Sequence, residues 1–493
     1  MSNKTHMHDN RESYSGLVPV KPSNKSGRPP AETVEGRTLT KENVGRPNPN
    51  WTPSQGNGSS GLDRVREAAR KNGKLRFTAL LHHVNVDLLR SSYFKLKKKA
   101  APGVDGVTWE EYGRDLEAKL IDLHGRIHRG AYRAQPSRRV WISKTDGRQR
   151  PLGIAVLEDK IVQYAVTTVL NQIWEEDFLG FSYGFRPGRS QHDALDALYV
   201  GIMRKKVNWV LDLDVRSFFD SIVREQLMEM IEKRVRDGSV LRLIRKWIQV
   251  GVIDNGRLLV SETGTGQGQT ISPLLANIYL HYVLDEWFED EVKPRLRGEA
   301  HEIRFADDAV LCFQYKEDAE KVMEVLPKRF AKYGLTIHPE KTRLLEFGRY
   351  AEEKAKRRGK KPATFDFLGY THVCARSRKG KFTVHVRTMK KRFRRGLTAI
   401  AEWCQENRHL PVDEQQKALN AKLRGHYQYY GRPTNYQSLW RFFREVRHIW
   451  RKWLSRRTRG NGMTWEHYAA ILRKHPLLLP RILHPWHGVG SHA

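Results

Sequence analysis

Three aspartates in this chain have surroundings that suit a metal site. Asp307 and Asp308 are adjacent and lie between short apolar flanks, Ile303 and Phe305 before and Val310, Leu311 and Phe313 after. That pattern predicts two strands with the acids at the turn between them. Neighbouring like charges call for a compensating cation, and Mg²⁺ is typically held by one or two carboxylates plus substrate phosphates. A solvated hairpin turn is the competing reading of any isolated Asp-Asp pair; the apolar flanks favour carboxylates presented from a sheet. Asn208 to Val215 reads as a further strand, with Trp209, Leu211 and Leu213 on one face and Val210, Asp212 and Asp214 on the other. Acids on an otherwise apolar strand are costly unless paired or metal-bound.

The elements that must position these acids are legible in order. The 208–215 strand is followed by helices at about Arg224–Arg234 and Leu241–Val250, the Asp-Asp hairpin, a helix over Asp318–Tyr333 and a short strand at Leu335–His338. Strand, helix, paired strands, helix, strand is a split β-α-β pattern of ferredoxin-like type. The centre of such an antiparallel sheet would bring Asp214 to the Asp307-Asp308 turn, where three carboxylates would hold two cations roughly 3.5–4 Å apart, the phosphoryl- or nucleotidyl-transfer geometry.

Upstream, Arg138–Lys144 alternates as a strand, Thr145–Arg148 turns, and Gln149–Ile154 returns, a basic β-ribbon that suits a polyphosphate. A glycine loop from Thr265 opens an apolar helix that reaches about Trp287. Leu62 to Lys99 has helical spacing and closes on the basic run Lys95–Lys99, and Thr108 is placed to cap the next helix ahead of Glu111. Residues 1–61 are rich in Ser, Asn, Gly, Pro and charge and are assigned no fold. Between Arg376 and Arg395 the chain is dense in Arg and Lys with no acid. A later helix carries Leu439, Phe442, Val446, Ile449 and Trp453 on one stripe, with Arg441, Arg444, Arg451, Lys452 and Arg456 on the rest.

Charge points to the partner. With 88 Lys and Arg against 55 Asp and Glu in 493 residues, the chain carries a formal charge of +33, which resists compaction unless a polyanion offsets it. Nucleic acid fits, since each neutralised phosphate releases counterions; no basic amphipathic terminal helix supports a membrane surface. No apolar stretch is long enough for a membrane span, the first residues carry no secretory core, and Cys312, Cys374 and Cys404 form no C-x-x-C pair. A reducing cytoplasm is the expected setting.

Taken together, the segments resemble the bacterial group II intron-encoded reverse transcriptase/maturases, in the subtype lacking the C-terminal HNH endonuclease. The likeness runs from about Leu62 to Trp486. It is carried by Pro102–Gly106, Arg150–Ile154, Ser182–Gly188, Asp214–Phe219, Gln267-Gly268 with Ser272–Asn277, Phe305–Asp308, Gly334-Leu335, Pro339–Thr342 and Phe367–Gly369. The resemblance implies an α+β right-hand polymerase with fingers, a ferredoxin-like palm and an α-helical thumb that is the maturase domain. Residues 1–61 would be an N-terminal extension, 62–207 fingers, 208–375 palm, 376–458 thumb, and 459–493 a small DNA-binding region without the nuclease, no Cys following Arg459.

Carried over by motif, Asp214, Asp307 and Asp308 are the catalytic carboxylates and ligands of two Mg²⁺ ions, with Mn²⁺ as an alternative. Asp214 is favoured over Asp212 because Phe219, the ribose-sensing aromatic, lies five residues on. Arg138, Lys144, Arg150, Phe219 and Gln267 would bind the incoming dNTP, and Phe367, Leu368 and Gly369 would hold the primer. Lys97, Lys98, Lys99, Arg186, Arg392, Arg394, Arg395, Arg424, Arg444 and Arg451 are the candidate RNA contacts. The implied partners are group II intron RNA, an RNA template with a DNA primer, target DNA and dNTPs, with no membrane and no oligomeric state implied; the implied place is a ribonucleoprotein particle in the bacterial cytoplasm. The chain departs from the family in Phe305 for Tyr, Ser143 for Pro and Gln269 for a small residue. The expected activity is RNA-directed DNA synthesis with assistance to intron splicing and mobility; the alternatives are a host-serving reverse transcriptase, as in phage defence, and a splicing-only RNA-binding maturase.

Overall fold

The structure, a computed structural model, describes residues 61–143, 149–254, 257–260, 263–266, 268–457 and 462–486. The expectations for residues 1–60, for the 145–148 turn, and for Lys144 and Gln267 lie outside the described residues, as do the two ends of the 459–493 region. The class is α+β. Among the described residues no helix is long and apolar enough to cross a membrane.

A four-stranded antiparallel sheet positions the acids. Its strands are β3 (Trp209–Leu213), β7 (Ala300–Phe305), β8 (Asp308–Phe313) and β10 (Arg343–Glu346), in the order β10-β3-β8-β7. That is a split β-α-β order, but its fourth strand is not the expected one. Thr336–Ile337 (β9) instead pairs with Val215–Arg216 (β4) in a separate two-stranded ladder. The reason lies in which residues can cover both faces: Leu344 and Leu345 of β10 reach opposite cores, whereas Thr336 is exposed.

Alternation along these strands feeds two cores. Leu211, Leu213, Leu311 and Phe313 face the Leu157–Asp177 and Ser272–Leu280 helices. Val210, Ile303, Val310 and Cys312 face a three-stranded sheet and the C-terminal helices. A fully buried side chain of this kind contributes roughly 1.5–3 kcal/mol, so a one-residue slip, which exchanges the faces, is strongly disfavoured. The three-stranded sheet is β11 (Thr364–Phe367), β12 (Tyr370–Arg376) and β13 (Phe382–Thr388). The helices behind it are Lys390–Glu406, Val412–Tyr430 and Tyr436–Ser455; of the expected stripe, Leu439, Phe442, Val446 and Trp453 are buried.

The basic ribbon is β1 (Ser137–Ser143) against β2 (Gln149–Ile154). It is extended by a hairpin that sequence reading did not anticipate, β5 (Val252–Asp254) and β6 (Arg257–Leu259), joined through a parallel β1–β5 pairing. Thr108 does cap its helix, in a reciprocal capping box with Glu111. The Val86–Lys95 helix stops before the lysine run, because Leu96 turns extended and donates its N–H to the Tyr93 carbonyl; Lys97, Lys98 and Lys99 follow it as exposed residues.

One ion pair ties distant parts of the chain. Arg432, fully buried, pairs with buried Asp196 of the Gln191–Arg204 helix, donates to the His192 carbonyl at 3.0 Å and stacks 4.5 Å from the Trp486 ring centroid. Trp486 in turn stacks on Tyr199 and His484 on His192. Removing one partner of a buried pair strands the other charge, so Arg432→Ala is expected to lower the unfolding free energy by roughly 3–5 kcal/mol in urea titration; a loss near zero would mean that the pair is solvated.

Candidate active site

The Asp307-Asp308 turn is a two-residue hairpin in which Phe305 pairs with Asp308. Ala306 takes φ 58, a left-handed value uncommon for a residue with a Cβ. The turn is pressed from outside by Gly184, where a Cβ would lie 2.2 Å from the Ala306 nitrogen. Only glycine permits that approach.

Register brings Asp214 to this turn. In the β3–β8 ladder Leu213 stands opposite Ala309, so the pairing continued by one residue sets Asp214 opposite Asp308. Both fall on the face that carries Val210, Asp212 and Val310. Just past β3, Asp214 is gripped through its backbone: its N–H donates to Thr342 Oγ1 at 3.2 Å and its carbonyl accepts from the His338 N–H at 2.8 Å. The Lys341 ammonium stands 3.2 Å from both carboxylate oxygens of Asp214.

Asp212 has a different environment. Burial pushes its carboxyl up to about 6, opposed by Arg343 at 3.3 Å and reinforced by the negative charges of Asp308 and Asp366. Among the described residues no three Asp, Glu, His or Cys side chains already form a metal cage. The donors at this end of the face are nonetheless hard carboxylate oxygens, which suit a hard divalent cation in kind; at Asp214 such a cation would have to displace the Lys341 ammonium.

Other expected residues gather nearby. Phe219, half-buried in the Phe218–Ser221 turn of helix, accepts the Thr265 N–H at its carbonyl at 3.0 Å. The glycine loop then touches the basic ribbon: a Cβ on Gly268 would lie 2.6 Å from the Gly153 oxygen. Arg138 donates to the Pro102 carbonyl at 2.8 Å. Phe367 and Tyr370 flank a two-residue hairpin with Leu368 at φ 49 and Gly369 at φ 80. Tyr429 fastens that hairpin by donating its hydroxyl to the Leu368 carbonyl at 2.8 Å.

The candidate RNA contacts divide. Lys97, Lys98, Lys99, Arg394, Arg424 and Arg444 are exposed, and Arg392 and Arg395 half-buried. Arg186 is not a surface contact. It is 4% exposed, and its guanidinium pairs with Glu175 and donates to the Leu179 and Ser182 carbonyls. Arg451 is half-buried, donating to the Met463 carbonyl at 2.8 Å and lying 4.0 Å over the exposed Trp465 ring.

Sequence reading missed the support beneath the turn: Arg304, Asn277 and Asp285. An acid closing the apolar run from Leu274 to Leu284 was the available signal, since buried Asp is rare without a partner. Lys341 was quoted within its motif but given no role.

Comparison with known proteins follows this geometry. Residues 142–372 match the family described as reverse transcriptase (RNA-dependent DNA polymerase). Protein YkfC of Escherichia coli (strain K12) is 38% identical over 199 residues, 39% of this chain and 52% of that protein. The group II intron-encoded protein LtrA of Lactococcus lactis subsp. cremoris is 29% identical over 306 residues, 59% of this chain and 50% of that protein. An uncharacterized 91 kDa protein in a cob intron of Schizosaccharomyces pombe is 35% identical over 211 residues, 42% of this chain and 25% of that protein. The chain thus spans about half the length of the first two relatives.

Two outcomes follow for the folded protein. Gly184→Ala forces the Ala306 backbone to move and is expected to cost about 3 kcal/mol of stability; unchanged denaturant midpoints would show the contact to be slack. Asp212 has a raised folded value, so its contribution to stability is complete below its ordinary 3.8 and lost as pH rises through about 6. In chelator, Asp212→Asn should therefore melt near wild type at about pH 4 and above it from about pH 6.5 upward, by calorimetry. A Tm difference that does not change with pH would refute this.

Proposed function

We propose that this chain, which carries a reverse transcriptase domain and is a relative of group II intron-encoded proteins, synthesises DNA on an RNA template and assists the splicing and mobility of a group II intron. The observation that carries the reading is the β3–β8 register, which ends with Leu213 opposite Ala309 and leaves Asp214 and Asp308 next in line on the two chains. That sheet is the palm in this reading. The β1-β2-β5-β6 sheet with the helices before it serves as fingers, and the helices from Lys390 to Ser455 serve as thumb and maturase domain, with boundaries at 62–207, 208–375, 376–458 and 459–493.

In the reaction, the primer 3′-oxygen bonds to the α-phosphorus of a dNTP while the bond to the departing pyrophosphate breaks. Asp214, Asp307 and Asp308 would hold the divalent cations. When bound, two such ions supply the Lewis acidity that activates the primer hydroxyl and braces the leaving group. The residues themselves orient and neutralise. Phe219, fixed through its backbone to Thr265, presents a flat wall where a sugar would lie. The ribbon bearing Arg138 and Arg150, together with Lys144 and Gln267, would grip the triphosphate, as guanidinium groups suit phosphate oxygens. The hairpin at Leu368 and Gly369, fastened by Tyr429, would steady the primer strand.

RNA recognition uses other parts of the surface. Exposed Lys97, Lys98, Lys99, Arg394, Arg424 and Arg444, with the surplus of positive charge, support shape-and-phosphate binding of the intron. Target DNA would take the same kind of contact, and the expected place is the bacterial cytoplasm.

The two activities separate in one variant. Asp308→Ala should abolish primer extension on an RNA template, a fall of more than about a thousandfold, while intron-RNA affinity and splicing assistance stay near wild type. Primer extension that survives in Asp308→Ala would overturn the catalytic assignment; loss of splicing with RNA binding intact would overturn the division of labour.

A further inference from the structure

The support beneath the Asp307-Asp308 turn is an arginine with every donor used. Arg304 is fully buried on β7. Its Nε and Nη2 clasp the Asp285 carboxylate at 2.7 and 2.5 Å, and Nη2 also donates to Ser182 Oγ at 2.8 Å. Nη1 donates to Asn277 Oδ1 at 3.2 Å and to the Ala306 carbonyl at 3.0 Å. Five N–H groups therefore have acceptors, and one of those acceptors is the left-handed residue of the turn itself.

The acceptors are arranged by the helix behind the sheet. Asn277 lies on Ser272–Leu280, and Asp285 closes a π-helical stretch, His281–Asp285. Eight residues of regular α-helix overshoot two turns by about 80°; the wider winding of the π stretch takes up that excess, and both side chains meet one guanidinium. Asn277 then passes the constraint on, donating to the Gly184 carbonyl at 2.7 Å, the residue pressed against Ala306. The turn is held from both sides.

We propose that Arg304 is a positioning residue: by holding Ala306 in its left-handed conformation it fixes where Asp307 and Asp308 present their carboxylates, and so sets the affinity of this end of the sheet for a divalent cation. The inference rests on the metal-dependent reading of the site. Lysine cannot replace the fork, since an ammonium offers three donors from a single point. Glycine at 306 adopts a positive φ at no steric cost, so it should do without the clamp.

The test is Mn²⁺ binding to the full chain, by calorimetry and electron paramagnetic resonance, alongside primer extension. Arg304→Lys should weaken Mn²⁺ binding by at least about tenfold, and adding Ala306→Gly should restore most of that loss. If Arg304→Lys does not fold, Asn277→Ala serves, weakening Mn²⁺ binding in the same direction while leaving the ion pair in place. Unchanged Mn²⁺ affinity in the folded variants overturns the proposal. So does a loss that Ala306→Gly leaves untouched, which would assign Arg304 to core stability alone. A wild type that binds Mn²⁺ but extends no primer overturns the polymerase reading and leaves this positioning role standing.

Discussion

A guanidinium group with no access to water governs how the acidic face is built. Taking an ion out of water costs several kcal/mol unless its hydrogen bonds are all replaced, and Arg304 meets that condition with Asp285, Asn277, Ser182 and the Ala306 carbonyl. On the same strand face, two residues earlier, burial drives the Glu302 carboxyl well above the usual carboxylate range. The helix bulge, the glycine against the turn and the left-handed alanine are parts of one constraint. Each exists because a planar, five-donor cation has to be satisfied in one orientation.

Much of this architecture was legible before any coordinates. Strand alternation in 208–215 and 303–313 located the two central strands and the face they share, and the capping box at Thr108 ended one loop correctly. What misled was the fourth strand. Residues 335–338 have the apolar content of a strand, but the pairing went to Arg343–Glu346, which offers one leucine to each core. Short segments are decided by long-range packing, which composition does not carry. The π-helical bulge was equally invisible, having no propensity signature, and with it the reason that Asn277 and Asp285 cooperate.

Arginines were the other blind point. In a chain this basic, an arginine in a turn motif, such as Arg186, or on a basic helix face, such as Arg451, reads as a phosphate contact. Arg186 instead bonds Glu175 and two carbonyls, and Arg304 and Arg432 are wholly buried. The planar fork that suits phosphate also suits clusters of carbonyls and carboxylates. The motif arginines hold loops in shape, and the lysine-rich and helix-surface cations face outward.

The order of the sheet also sets an order of events in time. β3 is flanked by β8 and β10, and Asp212, on β3, finds its counter-ion in Arg343, 131 residues further along the chain. Loop closure over such spans is slow compared with local helix formation. A ribosome adding about 5–20 residues per second therefore exposes an unpaired strand, edges bare and acids unneutralised, for several seconds before its neighbours emerge. The acidic face is late-born: the helices around it can form as they are made, while the sheet that carries it waits for the chain to reach Glu346.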